Sequence, residues 1–403
     1  MSEETKSLWG PREQGGMYDP AVGPFDQGDM NLDFSYRFGD VDADKRTEVD
    51  FLGTEINALR KANGSTVIVG VAPGLLKDID GDGDIDEMSK VLDKQAGGVV
   101  YTGSLRTMKT DASDMPNLAF HDGDVDESGK LAVVNDFAGQ EGAVNHFGVH
   151  SPDLNEEYLD ELGRTKEILE ARGQILIASL LATPYQGSET TMEDYLGDWE
   201  MLVYNMAKAG INYVDLNFAN PHVPSAYANA CEGAQFKMPE MAGKIVAHCR
   251  EVANRVNPNM KIGVNLRHVH TSEDHDVLDE EVMRALVDNV APHVDFITAS
   301  NTDPTQLVDG DLGSNFAEIH PTAGVSGKPL HAKALDMVRF LTSYRRDSGY
   351  EYKVLATGGA VDPETIQNFV EAEADAVLSM TGLYSNGELF KDYSESPKFE
   401  EVA

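Results

Sequence analysis

Eight short runs rich in Val, Ile, Leu and Ala recur between Ser65 and Ser379, and most are separated by stretches long enough to form a helix. They fall at 65–71, 98–102, 175–179, 213–217, 261–266, 295–299, 352–356 and 374–379. Runs that are apolar on both faces suit parallel strands covered by helices on one side and by their own sheet on the other. The helical stretches read 84–95, 153–172, 192–209, 239–256, 279–289, 332–346 and 363–372. Eight strands alternating with helices predict a closed (β/α)₈ TIM barrel in preference to an open doubly wound sheet.

At 403 residues the chain has room for one barrel and an extension. Residues 1–45, rich in Gly, Pro and Asp, read as a partly irregular N-terminal extension, 46–384 as the barrel and 385–403 as a polar C-terminal tail. A formal charge of -37, from 69 acidic against 32 basic residues, argues against nucleic acid or an anionic membrane as partner, because both would be repelled. Spread along the chain, it suggests a protein kept soluble at high salt. Cys231 and Cys249 are the only cysteines, which excludes a disulfide framework and a Cys-rich metal or iron-sulfur motif. No apolar run is long enough to span a bilayer and the N-terminus has no signal-peptide pattern, so a cytoplasmic location is expected. A homo-oligomer acting on a small molecule is the expected state.

Two glycine-bearing turns suit a phosphate. Thr322-Ala-Gly-Val-Ser-Gly-Lys-Pro-Leu330 and Leu355-Ala-Thr-Gly-Gly-Ala360 place small residues where a strand gives way to a helix, so backbone N–H groups can approach an anion. In a barrel such turns belong to the loops after strands seven and eight. Polar residues cluster at other strand ends: Asn135, Asn217-Phe-Ala-Asn-Pro-His222 and Thr298-Ala-Ser-Asn-Thr302. Their amides offer donors and acceptors to a uracil-like ring edge, although an Asn at a strand end also serves as a helix cap.

Taken in order, these motifs resemble the dihydroorotate dehydrogenase family, FMN-dependent barrels that include the pyrimidine-reducing domain of dihydropyrimidine dehydrogenase. The resemblance runs from about Val49 to Tyr384. It rests on Val71-Ala-Pro-Gly74, Gly103-Ser104, Asn135 with Gly139-Gln-Glu-Gly142, the Asn217–His222 loop, Ser300-Asn-Thr302, Val325–Leu330, Thr357-Gly-Gly359 and Met380-Thr-Gly382. It implies an FMN site built from Ala72, Gly74, Gly103, Ser104, Ser326, Gly327, Gly358, Gly359, Thr381 and Gly382. It also implies a substrate site built from Asn135, Asn217, His222, Asn301 and Thr302, with hydride passing between a pyrimidine-like ring and the flavin.

The departures fall where the chemistry happens. The family's Cys or Ser base is Asn220 here, and an amide is no general base near neutral pH. The family's lysine on strand five falls at Asn265, and its lysine after strand two is replaced near Thr102-Gly-Ser104. Arg267, two residues beyond Asn265, would point the same way and could replace one lost charge, or pair with surface carboxylates. Cys231 and His222 are the candidate bases by proton affinity, although Cys231 reads more readily as a small semi-buried residue and His222 as a substrate contact. The alternatives are a barrel that has lost flavin chemistry and serves a structural, binding or assembly role, or a flavin-free lyase. No Cys-rich motif supplies an electron path within this chain.

One loop is foreign to the family. Asp78, Asp80, Asp82, Asp84 and Asp86 alternate along Asp78-Ile-Asp-Gly-Asp-Gly-Asp-Ile-Asp86, as in a short calcium loop, with Ser89 where an EF-hand would place its bidentate Glu. The loop reads equally as a Ca²⁺ site or a solvated acidic segment.

Overall fold

The computed structural model describes residues 40–71, 96–107, 118–121, 128–133, 142–145, 151–182, 191–219, 238–272, 276–310 and 316–400, with Gly123, Asp126 and Asp274 besides. Its strands, in chain order, are β1 (Arg46–Phe51), β2 (Thr54–Arg60), β3 (Thr66–Val71), β4 (Val99–Tyr101), β5 (Leu118–His121), β6 (Leu131–Val133), β7 (Gly142–Asn145) and β8 (Ile175–Leu180). They continue with β9 (Tyr213–Asn217), β10 (Lys261–Leu266), β11 (Phe296–Ala299), β12 (Asp303–Asp309), β13 (Thr322–Gly327), β14 (Lys353–Ala356) and β15 (Ala376–Ser379). The helices are α1 (Glu156–Ala171), α2 (Met192–Lys208), α3 (Pro239–Val256), α4 (Glu280–Val290), α5 (Phe316–Ile319), α6 (His331–Ser348), α7 (Pro363–Glu371), α8 (Thr381–Ser385), α9 (Leu389–Glu395) and α10 (Pro397–Glu400).

β3, β4, β8, β9, β10, β11, β14 and β15 pair in parallel, and the β3–β4 pairing closes the ring. The chain folds as a (β/α)₈ TIM barrel, with these as barrel strands one to eight. The expected runs become strands because each is buried on both faces: β8 and β9 have no exposed position. Side-chain caps start the outer helices. Asn155 accepts from Tyr158 N, Thr191 and Asp194 form a capping box, and Asp279 and Asp362 accept from the N–H groups of Val282 and Thr365.

Two additions to the barrel were not legible as alternation. The β1–β2 hairpin runs antiparallel and joins β3, and its Phe51, Ile56 and Ala58 pack into the barrel interior with Ile68, Tyr213 and Phe296. Tyr213 donates from its hydroxyl to Thr54 Oγ1 at 2.6 Å and to Phe51 O at 3.2 Å, which ties the plug to strand four. This closes the N-terminal end and leaves the opposite end for a site.

The second addition is a five-stranded sheet ordered β5-β7-β13-β12-β6. Its strands come from the connections leaving the C-terminal ends of barrel strands two and six, so it stands on the site side. It has its own small core of Ala119, Leu131, Val133, Val144, Leu307, Phe316, Ala323 and Val325. The chain beyond Ser385 forms α9 and α10, whose Leu389, Phe390, Tyr393 and Phe399 are buried.

Candidate active site

The expected phosphate turns meet, but their order differs from the expectation of loops seven and eight. Ser326-Gly327 ends β13 of the second sheet and leads through a 3₁₀ turn into α6, between barrel strands six and seven. Gly358-Gly359 follows strand seven, and Thr381-Gly382 follows strand eight. The first turn is displaced because the connection after strand six folds into β12 and β13 before it returns to the barrel.

Ser326 joins the first and third turns. Its hydroxyl donates to Ala143 O at 2.9 Å, and the Ser326 and Thr381 hydroxyl oxygens lie 2.9 Å apart. With the Ser326 proton committed to Ala143, Thr381 is the donor between the two hydroxyls. His121 Nε2 donates to the Ser326 carbonyl at 3.1 Å, so this ring nitrogen carries a proton. Gly359, at φ +86, lies where a Cβ would come within 2.7 Å of the His331 backbone at the start of α6. A Cβ on Gly382 would collide with the Ala360 carbonyl. The glycines are thus required for the turns to press together. Among the described residues, the N–H groups of Gly358, Gly359 and Ala360 donate to no protein acceptor. Uncommitted N–H groups and the N-terminus of the 18-residue helix α6 form a donor set that fits a phosphate, which the Thr381 hydroxyl would join by turning its proton from Ser326 to the anion.

Polar side chains occupy the ends of barrel strands four, five and six. Asn217 is buried; its Nδ2 donates to Ser104 Oγ at 2.9 Å, its Oδ1 accepts from Ala219 N at 3.2 Å, and Ser104 Oγ lies 3.0 Å from Ser179 Oγ. Asn265 is also buried, and its Oδ1 accepts from Asn301 Nδ2 at 3.4 Å. Asn301 Oδ1 accepts from Thr302 N at 2.7 Å. The β9–β10 register sets Asn217 beside Asn265, so the two amide groups adjoin. Gly103 lies next to Ser104 and accepts on its carbonyl from Thr102 Oγ1.

Arg267 lies just past β10 and is buried. Desolvation lowers its pKa, and the carboxylate of Asp303 opposes that shift. Lys333 reaches the same Asp303 at 2.7 Å and Asp276 at 3.1 Å. The Arg267 charge therefore faces the acidic start of β12. Burial, followed by the nearby Lys333 charge, lowers the pKa of His268, so this imidazole is neutral near pH 7.

Ala72, Gly74, Asn135, Asn220, His222, Cys231 and the Asp78–Asp86 loop lie outside the described residues. Cys249 is buried in α3, and burial pushes its thiol pKa up. Among the described residues no cluster of His, Cys, Asp or Glu could hold a metal.

Sequence reading passed over one group. Asp215 of strand four, Thr298 of strand six and Tyr101 of strand two meet in the barrel interior. Thr298 Oγ1 donates to Asp215 Oδ2 at 2.8 Å, and the Tyr101 hydroxyl lies 2.7 Å from Thr298 Oγ1. The available signal was an acid at an inward-facing position of the buried strand Tyr213-Val-Asp-Leu-Asn217, two residues before Asn217.

No protein-family model matches the chain. In sequence it is 26% identical over 242 residues to a dihydroorotate dehydrogenase of Dictyostelium discoideum, an alignment covering 60% of this chain and 60% of that protein. The chain resembles the dihydroorotate dehydrogenase family. In fold, a dihydroorotate dehydrogenase of Eimeria tenella, solved in complex with ferulenol, superposes with a TM-score of 0.60 at 16% identity, covering 88% of this chain and 86% of that one. The sequence likeness spans less than two thirds of the Dictyostelium protein's length, and at that structural identity the second comparison speaks for the barrel alone. No helix among the described residues is long and apolar enough to cross a membrane.

Proposed function

We propose that the chain is an FMN-dependent oxidoreductase of the dihydroorotate dehydrogenase kind, acting on a CH–CH bond of a pyrimidine-like or other small cyclic substrate. The observation that carries this reading is the cradle in which Ser326 and Thr381 hold hydroxyls 2.9 Å apart beside the uncommitted N–H groups of Gly358, Gly359 and Ala360. In it Ser326, Gly327, Gly358, Gly359, Thr381 and Gly382 hold the phosphate. Gly103, Ser104 and Asn265, with Ala72, Gly74 and Arg267, belong to the flavin side. Asn217, Asn301 and Thr302, with Asn135 and His222, hold the substrate ring. FMN supplies the hydride acceptor, and Cys231 or His222 takes the substrate proton in place of Asn220. The working protein is a cytoplasmic homo-oligomer, with the Asp78–Asp86 loop holding Ca²⁺.

A second reading is a barrel that retains the cradle but has given up flavin chemistry for a binding or assembly role. It is favoured by the amides and hydroxyls at Asn265, Thr102 and Ser104, where the family places lysines. The visible absorption spectrum of protein purified at high salt separates the two. A yellow protein whose flavin bleaches on mixing with dihydroorotate is expected from the first reading. A colourless protein that takes up no added FMN would rule it out, whereas a bound flavin that does not bleach would point to another cyclic substrate.

A further inference from the structure

A barrel interior is normally filled by bulky apolar side chains arranged in layers drawn from alternate strands. In this chain one such layer, from strands two, four and six, is Tyr101, Asp215 and Thr298, three hydrogen-bonding groups sealed from solvent. Asp215 is fully buried, and its Oδ1 has no hydrogen-bond partner among the described residues. Its register neighbours are Ser179 on β8 and Gly263 on β10, neither of which can carry charge. From the other strands it meets the Thr298 hydroxyl and the Tyr101 phenol, and among the described residues no cation contributes to its surroundings.

An ionised carboxylate in this place would lack a counter-charge and would leave one oxygen unsatisfied. Burial of that kind is relieved by binding a proton. Desolvation accordingly raises the Asp215 pKa to about 7, against weaker opposing effects of the Thr298 and Tyr101 hydroxyls. The Tyr101 phenol is itself held well above its ordinary value by burial and by Asp215, so it does not compete as an acid.

This layer lies directly beneath the amides of the candidate site. Asp215 precedes Asn217 by two residues on one strand, and Thr298 is paired in register with Asn265. Asn217 and Asn265 stand where two-electron chemistry on a flavin would add negative charge, and Asn265 is where the resembled family has a lysine. A carboxylate one layer below would oppose that charge, whereas a neutral acid would not.

Resting on the flavin reading above, we propose that Asp215 keeps its proton from the acid range up to about neutrality and is the positioning residue that, while protonated, keeps the layer beneath Asn217 and Asn265 free of negative charge. The neutral acid does not replace the charge of the absent lysines; it withholds a negative charge from the layer beneath them.

The proton is tested on flavin-free protein. Infrared difference spectra of wild type against Asp215→Asn are taken from about pH 5 to about pH 9, a range bracketing the carboxyl's titration. A carboxylic-acid C=O band in wild type, absent from the variant and lost with a midpoint near neutrality, is expected; absence of the band at every pH overturns the proposal. If Asp215→Asn does not fold, Thr298→Val identifies the band, because removing that donor moves the titration of the acid it serves to higher pH. A band unmoved by Thr298→Val does not belong to Asp215.

The positioning role is tested by the ratio of affinities for reduced and oxidised FMN. In wild type the ratio should fall about tenfold through the interval in which the band disappears, and it should stay level in Asp215→Asn. A level ratio in wild type removes the positioning role and leaves the proton in place. A protein that binds no FMN at any pH removes both the flavin reading and the positioning role, and the infrared result then decides the protonation of Asp215 alone.

Discussion

The hydroxyl oxygens of Ser326 and Thr381 lie 2.9 Å apart, although one residue ends a strand of the second sheet and the other follows barrel strand eight. This contact draws the loops after barrel strands six and eight together at one cradle. Its strength is that of a single neutral hydrogen bond, roughly 1 kcal/mol, so the fold does not depend on it.

Replacing Thr381 with Val keeps the shape and removes the hydroxyl. Affinity for FMN, measured by quenching of flavin fluorescence, should fall about tenfold, with a stability loss of about 1 kcal/mol in urea unfolding. Unchanged affinity would mean that the phosphate is held elsewhere.

Gly263 on strand five faces the Phe296 ring so closely that an added Cβ would run into it. Gly263→Ala should destabilise the barrel by about 1–3 kcal/mol through overpacking. Combining it with Phe296→Leu should recover part of that loss, giving a favourable coupling in a double-mutant cycle. Strict additivity would show that the ring is not the obstacle.

Asp215 also sets a pH dependence of stability. The folded chain keeps this proton up to about pH 7, whereas the carboxyl's ordinary value is 3.8. Its stabilising contribution is therefore whole below about pH 4, is lost as pH rises to about 7, and is level above that. The melting temperature of wild type relative to Asp215→Asn should decline across this window and then flatten. A constant difference would mean that folding does not shift the acid.

For the acidic loop, Ca²⁺ should raise the melting temperature, and Asp80→Ala should abolish the rise. Equal melting points with Ca²⁺ and with chelator would leave the loop as a solvated acidic segment.

The barrel was legible in sequence because its strands announce themselves. A run such as Lys261-Ile-Gly-Val-Asn-Leu266 is buried along almost its whole length, so apolar character and strand position coincide. The outer helices start at caps that local sequence supplies, as at Thr191 and Asp362. The positions of Asn217, Asn265, Asn301 and Thr302 at or just past barrel strand ends were legible too, since the ends of barrel strands have a fixed address.

Tertiary structure decided the rest. β7 and β13 become strands by pairing with each other, Gly142 against Gly327 and Asn145 against Gly324, and with β5 and β12 on their outer sides. Nothing local in either segment requires that pairing. The interior layer is the clearer case: Tyr101 and Thr298 are 197 residues apart and Thr298 and Asp215 are 83 apart, so their hydrogen bonds exist only once the barrel closes. Sequence by itself set where chain becomes strand, helix and phosphate-sized turn, because those depend on near neighbours and on burial patterns. Closure of the barrel determined which polar groups lose water together. That loss turns Asp215 from an ordinary carboxylate into an acid that keeps its proton near neutrality.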